Sequence, residues 1–342
     1  MKLRKIGCVR SERACEGDMS IIDFNLSDLW GRALKNSSHF MIASLILKFL
    51  SFLVIPFLTR EFSIEEFAIY DLFFTINSIL ILILGLGMDS GLAILLTEHS
   101  KNRTMQSFLL SLNLISCTVF ASCLWVISLA IYFLFDIERV DFEQWNILCA
   151  YTVFGLVSNI VVNFSRWIGK VRVAAYLDLV STVSGISIGI GLVIFVEKDL
   201  TNYFYGLLLG AAFGALVSLY IVREYISLSL TIKRNPMVKD VYVLSLPFVP
   251  NYLGNNLMQI ADRLLILGFL DAKALGIYAL ISRISLIPSV AINIISSGFL
   301  PVLYRNYRNQ KGRRFIREVF HIYFFFVVVS LCAIWFLGEY LG

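Results

Sequence analysis

Three cations and a ladder of amides lie where the chain is otherwise apolar enough to be surrounded by lipid. Lys48, Arg263 and Arg283 fall inside hydrophobic blocks. Asn251, Asn255, Gln259 and Asp262 recur at i, i+4, i+8 and i+11, one face of a helix. Asp71, Asp89 and Asp178 are further acidic residues in such surroundings, and Thr75, Ser78, Gly85 and Asp89 follow Asp71 along one stripe. A charge at the bilayer centre costs about 2.5–3.5 kcal/mol on insertion scales, so these groups face a wet cavity or one another. The chemistry they suit is non-covalent. Guanidinium forks take two oxygens of an anion at once, and the carboxylates are candidates to carry a coupling ion. Packing is the alternative: Asp262 and Arg263 can neutralise each other, and Asn and Gln can bridge helices.

Covalent chemistry finds little support. The three histidines, His39, His99 and His321, sit at predicted span edges without the spacing of a triad. No Gly-rich phosphate loop is present. Of the six cysteines, Cys8 and Cys15 lie in the N-terminal tail, and Cys117, Cys123, Cys149 and Cys332 lie in apolar blocks as small hydrophobes. No Cys/His cluster calls for a metal, and neither a cofactor nor catalysis is expected.

The elements that must hold these residues follow from composition. Of 342 residues, 58% are hydrophobic and 15% charged, and the mean hydropathy is +0.79. That is far from a soluble domain. Nine apolar blocks span about 40–58, 67–97, 108–135, 147–164, 173–196, 203–222, 241–270, 275–304 and 320–337. Each is about long enough to cross ~30 Å of hydrocarbon. The expected fold is an all-α polytopic membrane protein with about nine transmembrane helices. Pro56, Pro247, Pro250 and Pro288 are expected to kink their helices.

Basic residues alternate between the loops. Of the 29 Lys and Arg, 22 lie in the N-terminal tail and in the loops after the second, fourth, sixth and eighth blocks, against four in the opposite loops. This predicts a cytoplasmic N-terminus and explains the net charge of +5 without nucleic acid. The tail before Ser38 lacks a signal peptide's apolar region, and Met19 is an alternative start. The loops opposite the tail are short, the longest being 136–146, which disfavours an extracytoplasmic catalytic domain.

A repeat organises the chain. LTREFSIEEFAIY (58–70) aligns without gaps to ILGFLDAKALGIY (266–278), 208 residues on. Phe67-Ala68-Ile69-Tyr70 falls on Leu275-Gly276-Ile277-Tyr278, and the loop 98–103 on 306–311. Both halves start on the same side, so the repeat is parallel. The expected division is a tail (1–38), a first six-span bundle (39–222), a linker (223–240) and the first three spans of a second bundle (241–342). Position 342 corresponds to about residue 134, so the second half is expected to be short.

Two segments carry a resemblance. The hairpin LKFLSFLVIPFLTREFSIEEFAIYDLF (47–73) and the run SLPFVPNYLGNNLMQIADRLLILGFLDAKALGIYALISRI (245–284), with the Pro301–Tyr304 exit, resemble the polysaccharide transporter family of O-antigen and repeat-unit flippases. Leu246-Pro247, Ala261-Asp262-Arg263 and Gly276-Ile277-Tyr278 are its most specific parts. The family belongs to the superfamily that includes multidrug-and-toxin extrusion transporters. The resemblance implies translocation of a lipid-linked oligosaccharide, an O-antigen or capsule repeat unit on polyprenyl pyrophosphate, across a bacterial inner membrane by alternating access. Lys48, Arg263 and Arg283 would then attract the pyrophosphate, while Asn251, Asn255 and Gln259 bind sugar hydroxyls. Asp71, Asp89, Asp178 or Asp262 would couple an ion gradient. Implied partners are that lipid-linked substrate, membrane lipid and other polysaccharide or lipopolysaccharide assembly proteins. A drug/cation antiporter and a membrane-embedded polysaccharide polymerase or acyltransferase are the alternatives.

Overall fold

The structure is a computed structural model. It describes residues 45–47, 49–51, 53–98, 102–135, 141–226, 237–285, 316–321, 324–325, 327–329 and 332. Two compact units divide the chain. One is 37–297; the other combines 1–36 and 298–342, whose described residues are helical. The unit 37–297 holds the helices that position the candidate site residues.

Its described residues form ten α-helices, one short 3-10 helix (Arg223–Tyr225) and no strand. Helix α1 covers 53–61, and α2 (Ile64–Leu84) begins at a capping box. There Ser63 Oγ accepts from Glu66 N at 3.2 Å and Ser63 N donates to Glu66 Oε2 at 2.7 Å, which satisfies two orphan donors. The second block is not one helix. It breaks at Gly85–Gly87, where Leu86 (φ 50°) and Gly87 (φ 66°) are both left-handed, and resumes as α3 (Met88–Glu98). The stripe from Asp71 to Asp89 is therefore divided between two helices.

Next come α4 (Arg103–Phe135), α5 (Phe142–Trp167), α6 (Val171–Phe195) and α7 (Leu200–Val222). Asp141 caps α5 by accepting from Glu143 N at 3.0 Å, so that helix starts five residues before the block expected at 147. It also ends later, at Trp167, which makes Arg166 a helical residue. The seventh block is divided at Leu246-Pro247 into α8 (Met237–Ser245) and α9 (Phe248–Phe269). Pro250 is tolerated because it lies in the first turn of α9. Helix α10 (Ala272–Ser285) is capped by Asp271, whose Oδ1 accepts from Ala274 N at 2.7 Å.

Among the described residues, five helices are long and apolar enough to cross a membrane: Ile64–Leu84, Arg103–Ala130, Phe142–Trp167, Val171–Phe195 and Leu200–Tyr225. Their outward faces carry Val126, Phe195, Phe213 and Leu216, each more than half exposed. Lipid, not water, suits such a surface. This is an all-α polytopic membrane protein. Tyr225 receives both Arg103 (5.1 Å) and Lys170 (5.0 Å) over its ring. Three of the loops predicted to be basic, those after the second, fourth and sixth blocks, thus meet at one end of the unit 37–297, here the basic end. Lys198 meets Glu61 at 2.6 Å, which joins two of the opposite loops.

Packing is tightest between α6 and α7. Ser181, Gly185 and Gly189 face Gly214, Gly210 and Gly206, each set at a four-residue spacing. A Cβ on any of the three α7 glycines would collide with α6. Small residues at this spacing let backbones touch and gain dispersion where lipid supplies no hydrophobic drive. Around this pair, Tyr70 and Phe73 of α2 and Tyr151 of α5 build a core with Tyr203 and Phe204 of α7, and Phe73 stacks on Phe204 at 4.2 Å. Within it, Thr152 donates to the buried Asn77 at 2.9 Å.

Candidate functional site

On α2, between the core residues Tyr70 and Phe73, lies Asp71, which is 3% exposed. The 208-residue repeat brings α10 beside α2. It carries the cap Ser63 onto the cap Asp271, and the end of α1 at Glu61 onto the end of α9 at Phe269. The approach is close because Gly276 has no side chain: a Cβ there would collide with the Ile64 carbonyl. Its repeat mate, Ala68, is also small and buried.

Into this junction α9 delivers Arg263. Its Nε donates to Asp71 Oδ2 at 2.6 Å, and the two side chains are only 14% and 4% exposed. The guanidinium also lies 5.9 Å from the Tyr278 ring centroid. The Tyr278 hydroxyl donates to Asp262 Oδ2 at 3.0 Å. Neighbours in sequence therefore do not pair. Arg263 takes its carboxylate from α2, and Asp262 takes a hydroxyl from α10. Two carboxylates, one arginine and one phenol form a chain of polar contacts across three helices. Removing one charge of such a pair strands the other in a low-dielectric place, so the pair ties α2 to α9.

Other expected site residues fall differently. Asn251 is exposed on α9. Asn255, Gln259 and Arg283 are helical in α9 and α10, and their side chains lie outside the described residues, as does Lys48 altogether. Asp89 and Asp178 join a second group that their positions in the sequence do not reveal. Asn159, Asn163 and Arg166 recur at i, i+4 and i+7 on α5, the same signal that marks the α9 ladder. Asn163 Nδ2 donates to Asn159 Oδ1 at 2.8 Å, and Asn163 also hydrogen-bonds the Asp89 carboxylate. Asp178 and Asp89 both lie within electrostatic reach of Arg166. A small cavity beside Asp89 is lined by Asn113, Asn163 and apolar side chains of α3, α4 and α5. Apolar residues of the fourth block stop at 164, which puts Arg166 among the loop charges; the longer helix moves it into this group.

Among the described residues, no group of His, Cys, Asp and Glu is arranged to hold a metal ion. Both groups are made of charges and hydrogen-bonding side chains carried on helices.

Known proteins share both sequence and shape with this chain. The profile of the family described as "Polysaccharide biosynthesis protein" matches residues 33–307. A membrane protein of Haemophilus influenzae is 23% identical over 273 residues, 79% of this chain and 65% of the relative, so the chain spans less than two thirds of that relative's length. The Staphylococcus aureus "Capsular polysaccharide biosynthesis protein CapF" is 21% identical over 316 residues, 90% of this chain and 75% of the relative. Among solved structures, an outward-facing multidrug resistance MATE family transporter of the MOP superfamily superposes with a TM-score of 0.69 at 18% identity, covering 90% of this chain and 73% of that one. The fold is that of these transporters.

Proposed function

We propose a flippase function for this chain, which belongs to the polysaccharide biosynthesis protein family: it moves a lipid-linked oligosaccharide across the bacterial inner membrane. The observation that carries the reading is the Arg263–Asp71 pair, an arginine from α9 held by a carboxylate from α2. A pyrophosphate offers the same two-oxygen face as Asp71 and more charge, so it competes for the guanidinium fork. Taking Arg263 from Asp71 loosens α9 from α2, which links headgroup capture to separation of the two halves. Lys48 and Arg283 add cationic attraction, and Asn251, Asn255 and Gln259 meet sugar hydroxyls. The polyprenyl tail stays in lipid.

The family and the capsular relative support a polysaccharide cargo. The basic loops favour an N-terminus in the cytoplasm. Bundles over 39–222 and 241–342, with an ion gradient acting through the intramembrane carboxylates, complete the reading. The chain's partners are then its lipid-linked cargo, the surrounding lipid and the enzymes that build and polymerise the repeat unit.

The test is deletion of the gene in its host, followed by measurement of lipid-linked repeat units on the cytoplasmic face. Accumulation that wild type relieves and Arg263→Ala does not, at equal membrane abundance, is the expected outcome. Arg263→Lys keeps the charge but loses the fork, and relieves it only in part. Relief by Arg263→Ala as complete as by wild type would sink the reading.

A further inference from the structure

Helix α3 has two working faces. Ser90 and Gly91 lie on one and Asp89, Leu92 and Leu96 on the other, about half a turn away at 100° per residue. The Ser90 face meets α8 and α9. Gly87 and Gly91 are pressed so closely on Ser245 that a Cβ on either would collide with it, and Ser90 Oγ bonds the Tyr252 hydroxyl. Beside them, the Tyr242 hydroxyl donates to Ser116 Oγ on α4 at 2.7 Å. The Asp89 face looks into the first bundle, on the small cavity walled by Leu92, Leu96, Leu110, Ile160 and Trp167.

Two features show that the contact with α8 is held at a cost. Leu86 is left-handed without being glycine, a conformation that costs of order 1–3 kcal/mol and persists only where surrounding structure enforces it. Ser245 Oγ is buried with no hydrogen-bond partner among the described residues. The break at 85–87 is thus a strained hinge, and α3 is the arm it carries.

We propose that Asp89 is a proton-binding site whose occupancy sets whether α3 seats on α8, so that the proton closes the basic end of the molecule. The groups facing Asp89 are Asn113 and Cys117 from α4 and Asn163 and Arg166 from α5, with Asp178 of α6 beyond Arg166. From α8 and α9, the uncharged Ser245 and Tyr252 reach the opposite face of α3. The arginine feels the charge of Asp178 as well as that of Asp89, so Asp89 does not hold it alone. A neutral carboxyl is the form that an apolar wall tolerates, and Asn163 hydrogen-bonds either form. The protonated acid therefore holds α3 in place. The ionised acid draws α3 toward water and, through the opposite face, lifts Ser90 and Gly91 from Ser245 and Tyr252. The strain at Leu86 and the unsatisfied Ser245 hydroxyl favour that release. This inference stands whatever the cargo is.

The experiment is a distance measurement on the full chain in lipid nanodiscs. Spin labels replace Arg172 on α6 and Lys239 on α8, both exposed, in a background that keeps the buried Cys117 and has the other native cysteines changed to serine. Raising the pH should convert a short distance into a long one. For a single proton, the ratio of the two populations changes about tenfold per pH unit. Asp89→Asn should stay short at every pH, Asp89→Glu should titrate with a displaced midpoint, and Asp240→Asn should titrate like wild type. Gly91→Val, which cannot seat, should stay long. A wild-type distance that ignores pH, or an Asp89→Asn chain that titrates normally, overturns the proposal. So does an Asp89→Glu chain that does not titrate. No cargo is present, so failure of the flippase reading would leave each of these outcomes unchanged.

Discussion

The α6–α7 interface and the junction of α2 with α9 and α10 are both helix contacts inside one membrane protein, yet they are built from opposite materials. The first is a zipper of glycine and serine, backbone against backbone. The second joins an arginine, two carboxylates and a tyrosine over a single glycine contact at Gly276. Backbone contact has one good geometry and no replacement ligand, so it suits surfaces that stay together. An ion pair can be exchanged for a competing anion or neutralised by a proton, so it suits surfaces that must part. On the proposed function, the difference separates a scaffold from a switch within the unit 37–297.

The sharpest way to break that comparison is to give the zipper a side chain. Gly210→Leu drives an isobutyl group into the Gly185 backbone, so α6 and α7 must separate. Its cost should exceed the roughly 1–3 kcal/mol usual for overpacking, because backbone cannot change rotamer to yield. Folded protein should be nearly absent from the membrane by fluorescence-detected size exclusion. Full recovery would show that the zipper is no scaffold.

A smaller effect is expected at the switch. Asp71→Asn retains an acceptor but removes the charge facing Arg263, a loss of about 2 kcal/mol, as for a hydrogen bond to a charged group. The chain should still fold, with a lower melting temperature and defective transport. Exchanging the two residues, Asp71→Arg with Arg263→Asp, should recover part of the lost stability while transport stays impaired, because the cation has left α9. Simple additivity of the two single changes would mean that the residues do not act as a pair.

Much of this division is legible in the sequence. The loop charges alternate, and among the described residues Arg103 and Lys170 of two basic loops meet at Tyr225. Self-similarity of 58–70 and 266–278 leads to the helix caps that recur 208 residues apart. The family resemblance agrees with the profile match over 33–307. Partners across helices are less legible, since periodicity places a residue on a face without naming what faces it. Adjacent Asp262 and Arg263 suggest a local pair, whereas their partners come from 16 and 192 residues away. The zipper escapes notice because glycines in an apolar run resemble ordinary span composition. Only setting Ser181, Gly185 and Gly189 against Gly206, Gly210 and Gly214 exposes the matching spacing. The break at Leu86 has the two glycines that flank it as its signal, but apolar residues run through it without a gap.

The mildest effect should come where charge meets water, at Glu61 and Lys198, outside the membrane-spanning segments. Their 2.6 Å contact, a hydrogen bond from Lys198, holds the Glu61 carboxyl below its ordinary range. A carboxylate depressed in the folded state contributes stability above its unfolded value, and that contribution fades as the pH falls through the lowered folded value. Glu61→Gln should therefore melt slightly below wild type at neutral pH, with the gap closing in acid below the ordinary carboxylate range. Added salt should also close it at neutral pH, since solvent and ions screen an exposed pair. Transport should be untouched, which sets this ion pair apart from Asp71–Arg263: the distance is the same, 2.6 Å, but one lies in water and the other between helices. A Glu61→Gln chain as impaired as Asp71→Asn would mean that position in the fold does not decide what an ion pair is for.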